Sequence, residues 1–388
     1  FDGKAETVYV LTTPSSGYRC VVMMGLGPFE AFDAERLRRC SAKVSEAVAM
    51  YKVDHLVLDA SSHEALPVEA FIEGVMLSGY DFTAGKTEAS QTVSIDSVSI
   101  VIEDEAPADD LREACSRAAL VCESVNWARD LGNEPPNRLT PTILAQRAAS
   151  MAREGGLECT ILDDARLEEE GLQGILSVSK GSSEEARLIV LEYRHADATE
   201  TLALIGKGIT FDTGGISLKS GVDMHEMKFD MCGAAAVLGV MKCIAELKPK
   251  INVIVVVPSA ENKTGPEAYV PGDIVTMYNG KTVEVHNTDA EGRMLLADAL
   301  AFTEKNYTPD AMVDVATLTG AIVVALGHYA AGIFSNDDDL ANALEIAGDA
   351  SGERVWPFPM WDDYAKLVEG THADLCNIGP RGEAGSIT

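Results

Sequence analysis

Basic residues are scarce in this chain. Its 388 residues carry 31 Lys and Arg against 61 Asp and Glu, a formal net charge of -30. That deficit opposes binding to DNA or RNA, whose phosphates need a basic footprint. It also opposes binding to anionic membranes. The charge reads mainly as solubility and colloidal repulsion, and secondarily as attraction for cationic ligands or metals. Long apolar runs are absent as well. No window approaches eighteen uninterrupted apolar residues, so no helical membrane span is expected. The longest run of note, Val253 to Pro258, is strand-sized. None of the eight cysteines (Cys20, Cys40, Cys115, Cys122, Cys159, Cys232, Cys243 and Cys376) forms a CxxC pair. Zinc-finger ligation is set aside, and the thiols are expected to be reduced and mostly buried in a cytosol-like compartment. The P-loop pattern is missing, and Gly206-Lys207-Gly208 is not a GxGxxG loop. No internal repeat or low-complexity segment occurs. The first residues do not form a signal peptide. The chain does not begin with Met, which leaves room for a removed leader or tag.

What is present is globular: 46% apolar and 24% charged residues. The length suggests two domains. Residues 1–107 read as a small N-terminal α/β domain. Strand-like runs occur at Thr7–Leu11, Cys20–Met24, His55–Leu58 and Thr92–Ile102, helical patterns at Ala34–Tyr51 and Ala65–Leu77, and a loop at Ser78–Gln91. Residues 108–132 read as a connecting helix, with apolar residues from Leu111 to Leu131 at helical spacing. The run Gly132-Asn133-Glu134-Pro135-Pro136-Asn137 stops it. From 133 to 388 strands alternate with helices. The strands are Glu158–Leu162, Leu188–Tyr193, Thr201–Gly206, Ile251–Pro258, Thr282–Val285 and Ala311–Ala316. The helices are Pro141–Glu154, Cys232–Leu247, Gly292–Asn306 and Asp338–Ser351. The fold class expected is therefore α/β: a small α/β domain, then a larger catalytic domain with a mixed, largely parallel sheet covered on both faces by helices. In such sheets the chemistry collects at the carboxyl ends of strands.

Polar groups concentrate there. Lys207, Asp212, Lys219 and Asp230 punctuate an apolar, Gly-rich stretch, and Asn287-Thr288-Asp289-Ala290-Glu291-Gly292-Arg293 follows. Acids and amines are costly to bury unless they pair with each other or with metal. Carboxylates are hard oxygen ligands that can bridge two divalent ions. Asp289 and Glu291 would share one face of an extended segment, with Asp212 and Asp230 closing a two-metal site suited to hydrolysis. One lysine could serve as a neutral ligand and a second as an oxyanion holder. Arg293 offers a fork for an anion. His225 and His286 are read as nonligands and Cys232 as a packing residue. Singly, each signal is weak: an acid–Lys pair is usually a structural ion pair, and Gly208–Gly215 could be only a tight turn.

The heptapeptide 287–293 resembles the signature of the cytosolic leucyl aminopeptidases, the di-metal family M17. So do Gly206 through Lys219, Lys228-Phe229-Asp230-Met231, Asn133 through Pro141 and Ala316 through Ala321. The resemblance runs from about residue 130 to the end. It implies Lys207, Asp212, Asp230, Asp289 and Glu291 as ligands of two divalent ions, with Asp212 and Glu291 bridging. Zinc or manganese come first, with magnesium or cobalt as further candidates. It implies that Lys219 stabilises the tetrahedral intermediate and that Arg293 holds a bicarbonate serving as general base. Met227, Thr317 and Leu318 match substrate-pocket positions. Peptides would lose N-terminal, Leu-like residues in the cytoplasm, in a homohexamer. Met294 stands where the family usually has Leu. The motif Arg381–Thr388 opens a helix in the family, so the resemblance implies a C-terminal end cut short. The competing readings are a catalytically silent structural or binding member, a DNA-binding relative that the charge disfavours, and a generic metal-dependent amidohydrolase.

Overall fold

A computed structural model describes residues 1–12, 17–61, 66–88, 95–103 and 108–388. The chain divides into two compact units. One comprises Phe1–Asn126 with Asp349–Gly352, the other Trp127–Gly348 with Glu353–Thr388.

In the first unit, β1 (Val8–Thr12) pairs antiparallel with β2 (Cys20–Met24). α1 (Ala34–Ala49) starts where the Asp33 carboxylate accepts the Arg36 N–H at 2.8 Å. It buries Leu37, Cys40, Val44 and Val48, one face of a 3.6-residue period. α2 (Val68–Ser78) adds Phe71, Ile72 and Val75 to the same core. β3 (His55–Asp59) and β4 (Ser97–Val101) pair in parallel. Ala65, residues 92–94 of the expected fourth strand and residues 89–91 of the expected loop lie outside the described residues.

α3 (Ala108–Asn133) carries the chain across the division between the units. In the second unit α4 (Pro141–Gly155) follows, capped by Thr140, opened by proline and closed by Gly156 in the left-handed region. Then come β5 (Glu158–Leu162), α5 (Asp164–Glu170), α6 (Gln173–Ser179), β6 (Arg187–Tyr193), β7 (Thr201–Gly206) and β8 (Gly208–Asp212). α7 (Cys232–Leu247), β9 (Asn252–Asn262), β10 (Ile274–Thr276), β11 (Thr282–Glu284), α8 (Gly292–Tyr307) and β12 (Ala311–Val315) complete the frame. The central sheet runs β12-β7-β9-β6-β5, with β8 also against β9. β7, β8 and β12 join in parallel; β5 and β6 are antiparallel additions. This is the mixed, largely parallel sheet expected from the sequence.

Period two divides its residues between two cores. Ile254 and Val256 of β9 join Ile175, Leu295 and Phe302 from α6 and α8. Val253, Val255 and Val257 join Leu144, Ala148, Leu238 and Met241 from α4 and α7. A strand buried on both faces reads as a continuous apolar run, which is why Val253–Pro258 stood out.

Two expectations are corrected. Gly208–Asp212 is a strand and not part of a turn, and only Gly214-Gly215 turns. None of the eight cysteines forms a disulfide, but only Cys40 and Cys122 are buried; the other six are half-buried. Among the described residues no helix is long and apolar enough to cross a membrane.

Candidate metal centre

β7 and β8 both run beside β9, and Lys207 is the single residue between them. Its N–H donates to Val315 O at the end of β12 (3.0 Å), and its carbonyl accepts the Ala234 N–H in the first turn of α7 (2.9 Å). The backbone is thereby satisfied while the side chain turns inward, only 2% exposed. Its ammonium has three donors and meets three acceptors: Asp230 Oδ1 at 2.8 Å, Glu291 Oε1 at 2.8 Å and Thr317 O at 2.7 Å. Burial works against that charge, but Glu291 and Asp230 outweigh it and raise the lysine above its usual range.

The carboxylates arrive on separate elements. Asp212 ends β8, Asp230 follows the short 3-10 turn Met224–Phe229, and Glu291 occupies the residue before α8. Each of the three offers an oxygen within 4.8 Å of the others. Asp230 Oδ2 and Glu291 Oε2 are buried with no hydrogen-bond partner. An unpartnered buried oxygen is costly, and oxygens of this kind are what a divalent cation takes. The electrostatics report the same crowding. Burial, with help from Glu291 and Asp212, pushes Asp230 up to about 8 despite Lys207. Burial and Glu291 raise Asp212. For Glu291 burial acts upward, yet Lys207 wins and holds it low. Among the directly paired groups, four carboxylates face two lysines, so negative charge is left over.

Asp289 stands apart from this triad. The segment carrying it is a turn, with Ala290 N–H bonded to Asn287 O at 3.3 Å, and Glu291 has helical backbone angles. The extended, one-face arrangement of Asp289 and Glu291 is therefore corrected: the chain turns at Asn287–Ala290 and is already helical at Glu291. Asp289 pairs instead with the Lys219 ammonium, which also reaches Asp212 Oδ2 at 2.8 Å. Burial opposes the Lys219 charge, but Asp212 and Asp289 raise it well above the ordinary lysine range. Gly214 and Gly215, at φ +85° and +64°, make this approach possible. A Cβ on Gly214 would lie 2.8 Å from Asp289 Oδ1, and one on Gly215 would lie 2.9 Å from Thr288 Oγ1.

A cavity of about 710 Å³ opens on the Lys219 side. Leu218, Lys219, His286, Asn287, Asp289 and Arg293 are on its wall. Arg293, in the first turn of α8, hydrogen-bonds the Thr388 carbonyl, and burial lowers its pKa. Thr317 donates its hydroxyl to Asp230 Oδ1 at 2.7 Å, and Leu318 is largely exposed. Met227 is half-buried on the 3-10 turn. His225 is exposed, and His286 lies 3.3 Å from Glu284. Cys232 is half-buried at the start of α7.

Sequence reasoning missed Asn262, Tyr269 and Thr288. Asn262 Nδ2 donates to Asp212 Oδ1 at 2.8 Å and to Thr288 O at 2.9 Å, and the Tyr269 hydroxyl donates to Thr288 O at 2.9 Å. Asn262 ends β9 as Asp212 ends β8. The rule that strand carboxyl ends carry function would have found it.

Comparison with known proteins agrees with this architecture. Residues 126–388 match the catalytic domain of the cytosol aminopeptidase family, and residues 1–89 match its N-terminal domain. A probable cytosol aminopeptidase of Syntrophotalea carbinolica is 43% identical over 397 residues, covering 100% of this chain and 80% of its own length. One from Geobacter sulfurreducens is 42% identical over 372 residues, covering 95% of this chain and 75% of its own length. The solved bottromycin maturation enzyme BotP in complex with Mn superposes with a TM-score of 0.91 at 32% identity, covering 100% of this chain and 83% of that one. With both domains matched and relatives above two-fifths identity across 95% or more of the chain, the chain belongs to the cytosol aminopeptidase family and is a peptidase of the aminopeptidase class.

Proposed function

We propose that this protein is a two-metal aminopeptidase that releases Leu-like N-terminal residues from peptides. The carrying observation is the pair of buried, partnerless oxygens, Asp230 Oδ2 and Glu291 Oε2, within a triad completed by Asp212. Asp212, Asp230, Asp289 and Glu291 would hold two divalent ions, zinc or manganese foremost, with magnesium or cobalt as alternatives; Lys207 would join them as the neutral amine, its proton displaced by the incoming positive charge. BotP, a relative solved with Mn, supports manganese. When bound, the ions supply a Lewis acid and a water of lowered pKa.

The chain's own groups have separable tasks. Asp212 and Asp289 keep the Lys219 ammonium protonated on the cavity wall. There it can donate to negative charge developing on the substrate carbonyl oxygen. Arg293 presents a guanidinium fork to the same cavity and would hold a bicarbonate that takes the proton of the attacking water. Met227, Thr317 and Leu318 would line the site for the first side chain. The exposed apolar Leu318 favours a Leu-like group. The organisation proposed is an N-terminal domain over 1–107, a connecting helix over 108–132 and a catalytic domain over 133–388, assembled as a cytoplasmic homohexamer.

Hydrolysis of leucinamide tests the proposal. Activity should vanish with a chelator and return with Mn²⁺ or Zn²⁺. Activity indifferent to the chelator would overturn the metal role. Equal turnover of N-acetyl-leucinamide would replace the aminopeptidase with a general amidohydrolase.

A further inference from the structure

Thr288 lies between the two halves of the site, is fully buried, and has every polar atom engaged. Its N–H donates to Ser217 Oγ at 3.1 Å. Its hydroxyl donates to Gly214 O at 2.6 Å and accepts the Ser217 N–H at 2.8 Å. Its carbonyl accepts from Asn262 Nδ2 and from the Tyr269 hydroxyl, each at 2.9 Å. One residue thus joins four segments: the loop 213–219 that delivers Lys219, the end of β9, the loop that carries Tyr269, and the turn that delivers Asp289 and Glu291.

No backbone–backbone hydrogen bond among the described residues links the first of these loops to the last. The Lys219 ammonium must nevertheless contact Asp212 and Asp289 together, from different segments. Their separation is left to side-chain bonds, and the Thr288 hydroxyl supplies two of them. A further polar contact, Asn262 Nδ2 to Asp212 Oδ1 at 2.8 Å, extends the same clamp to the carboxylate itself.

We infer that Thr288 is a positioning residue: it clamps the Lys219 loop to the Asp289 turn, so that lysine and carboxylates keep the spacing the reaction needs. The inference rests on the two-metal aminopeptidase reading. A supporting group that orients ligands typically governs metal affinity by about 10- to 100-fold. Misplacement of a reacting group by about 1 Å costs about 100-fold in rate.

The test compares Thr288→Val, which keeps the branched shape without the hydroxyl, with Thr288→Ser, which keeps the hydroxyl. Mn²⁺ binding to the chelator-stripped full chain is measured by titration calorimetry, and kcat and KM are measured on leucinamide. Thr288→Val should bind Mn²⁺ about 10- to 100-fold more weakly and lose at least about 10-fold in kcat with KM little changed, the pattern of lost transition-state contact. Thr288→Ser should restore both. A Val variant altered only in melting temperature overturns the inference. So does a Ser variant as impaired as Val, because the effect would then belong to the lost methyl group. If Thr288→Val does not fold, Ser217→Ala removes one arm of the same clamp and carries the same comparison. A parent that binds Mn²⁺ but hydrolyses nothing overturns the aminopeptidase reading alone, and the Mn²⁺ affinities then decide Thr288. A parent that binds no Mn²⁺ overturns both.

Discussion

Asp298 shows how one acid can hold a fold without entering the chemistry. It is fully buried in α8. Oδ2 accepts the N–H groups of Gly174 (2.7 Å) and Ile175 (3.2 Å), and Oδ1 accepts that of Tyr278 (2.8 Å). It therefore terminates the backbone donors that open α6 and ties the turn after β10 to α8. Burial pushes its pKa up to about 6, with those three N–H groups pulling back. The folded state thus holds this proton more tightly than the unfolded chain. The stability it contributes is full below about pH 4 and declines as pH rises to about 6, by roughly 3 kcal/mol for a shift of about two units. Asp298→Asn removes the titration and sets an amide NH₂ against a backbone N–H. Urea unfolding at pH 4, 5 and 6 should find the variant less stable by about 1–3 kcal/mol at pH 4. The difference should then move in the variant's favour as pH rises, and a constant difference would contradict this account. At this scale Asp212, Asp230 and Glu291 were conspicuous in the sequence, because acids stand out against Gly and Val. Thr288, Tyr269 and Asn262 were not, because a neutral polar residue reads alike whether buried or exposed.

The turn between β8 and Lys219 turns on its two glycines. Gly214 and Gly280 have nearly the same left-handed φ, +85° and +86°. A Cβ on Gly280 would meet nothing within 4 Å, whereas one on Gly214 would lie 2.6 Å from Ser217 O and 2.8 Å from Asp289 Oδ1. Alanine at either position should cost about 1–2 kcal/mol of backbone strain. Only Gly214→Ala should also lose leucinamide turnover. Thermal melts with paired assays check this, and equal activity in the two variants would separate the turn from the site. Elements of this length differ in how visible they are beforehand. α7 and the helix Asp338–Ser351 appear at the bounds their periodicity indicates. α5 and α6, with seven residues each, are too short for a 3.6-residue repeat to register. The turn at 287–291 looked extended because alternation of acids imitates a strand, while Ala290 closes a turn on Asn287 and Glu291 has helical backbone angles.

Across the whole molecule the net charge of -30 acts on stability as well as solubility. Like charges on a compact body repel, and salt screens them over about 10 Å at 0.1 M. Raising potassium chloride from 10 to 150 mM should raise the unfolding midpoint, by on the order of 2 °C for about 1 kcal/mol of relieved repulsion. An unchanged or falling midpoint would assign the charge to solubility alone. The covered sheet was legible at this scale from the alternation of strands and helices. The partition of its residues between two cores emerged only once β6, β7 and β9 were seen side by side.

The single residue between β7 and β8 also bears on the order in which the molecule comes together. The Lys207 ammonium takes its partners at sequence separations of 23 residues, to Asp230, and 110 residues, to Thr317. Closing the longer loop carries the larger entropic cost, so the contact with Thr317 is expected to form after the one with Asp230. The first carboxylate can find the lysine while the sheet is still growing. The last acceptor arrives only when β12 docks against β7, and with it Val315 O for the lysine's own N–H. A nascent chain therefore reaches its full set of acidic groups before it has a finished cage for the cation among them. Completion of the site is therefore expected to be a late step of sheet assembly, and pulsed hydrogen exchange that found the Lys207 N–H protected as early as those of β9 would contradict it.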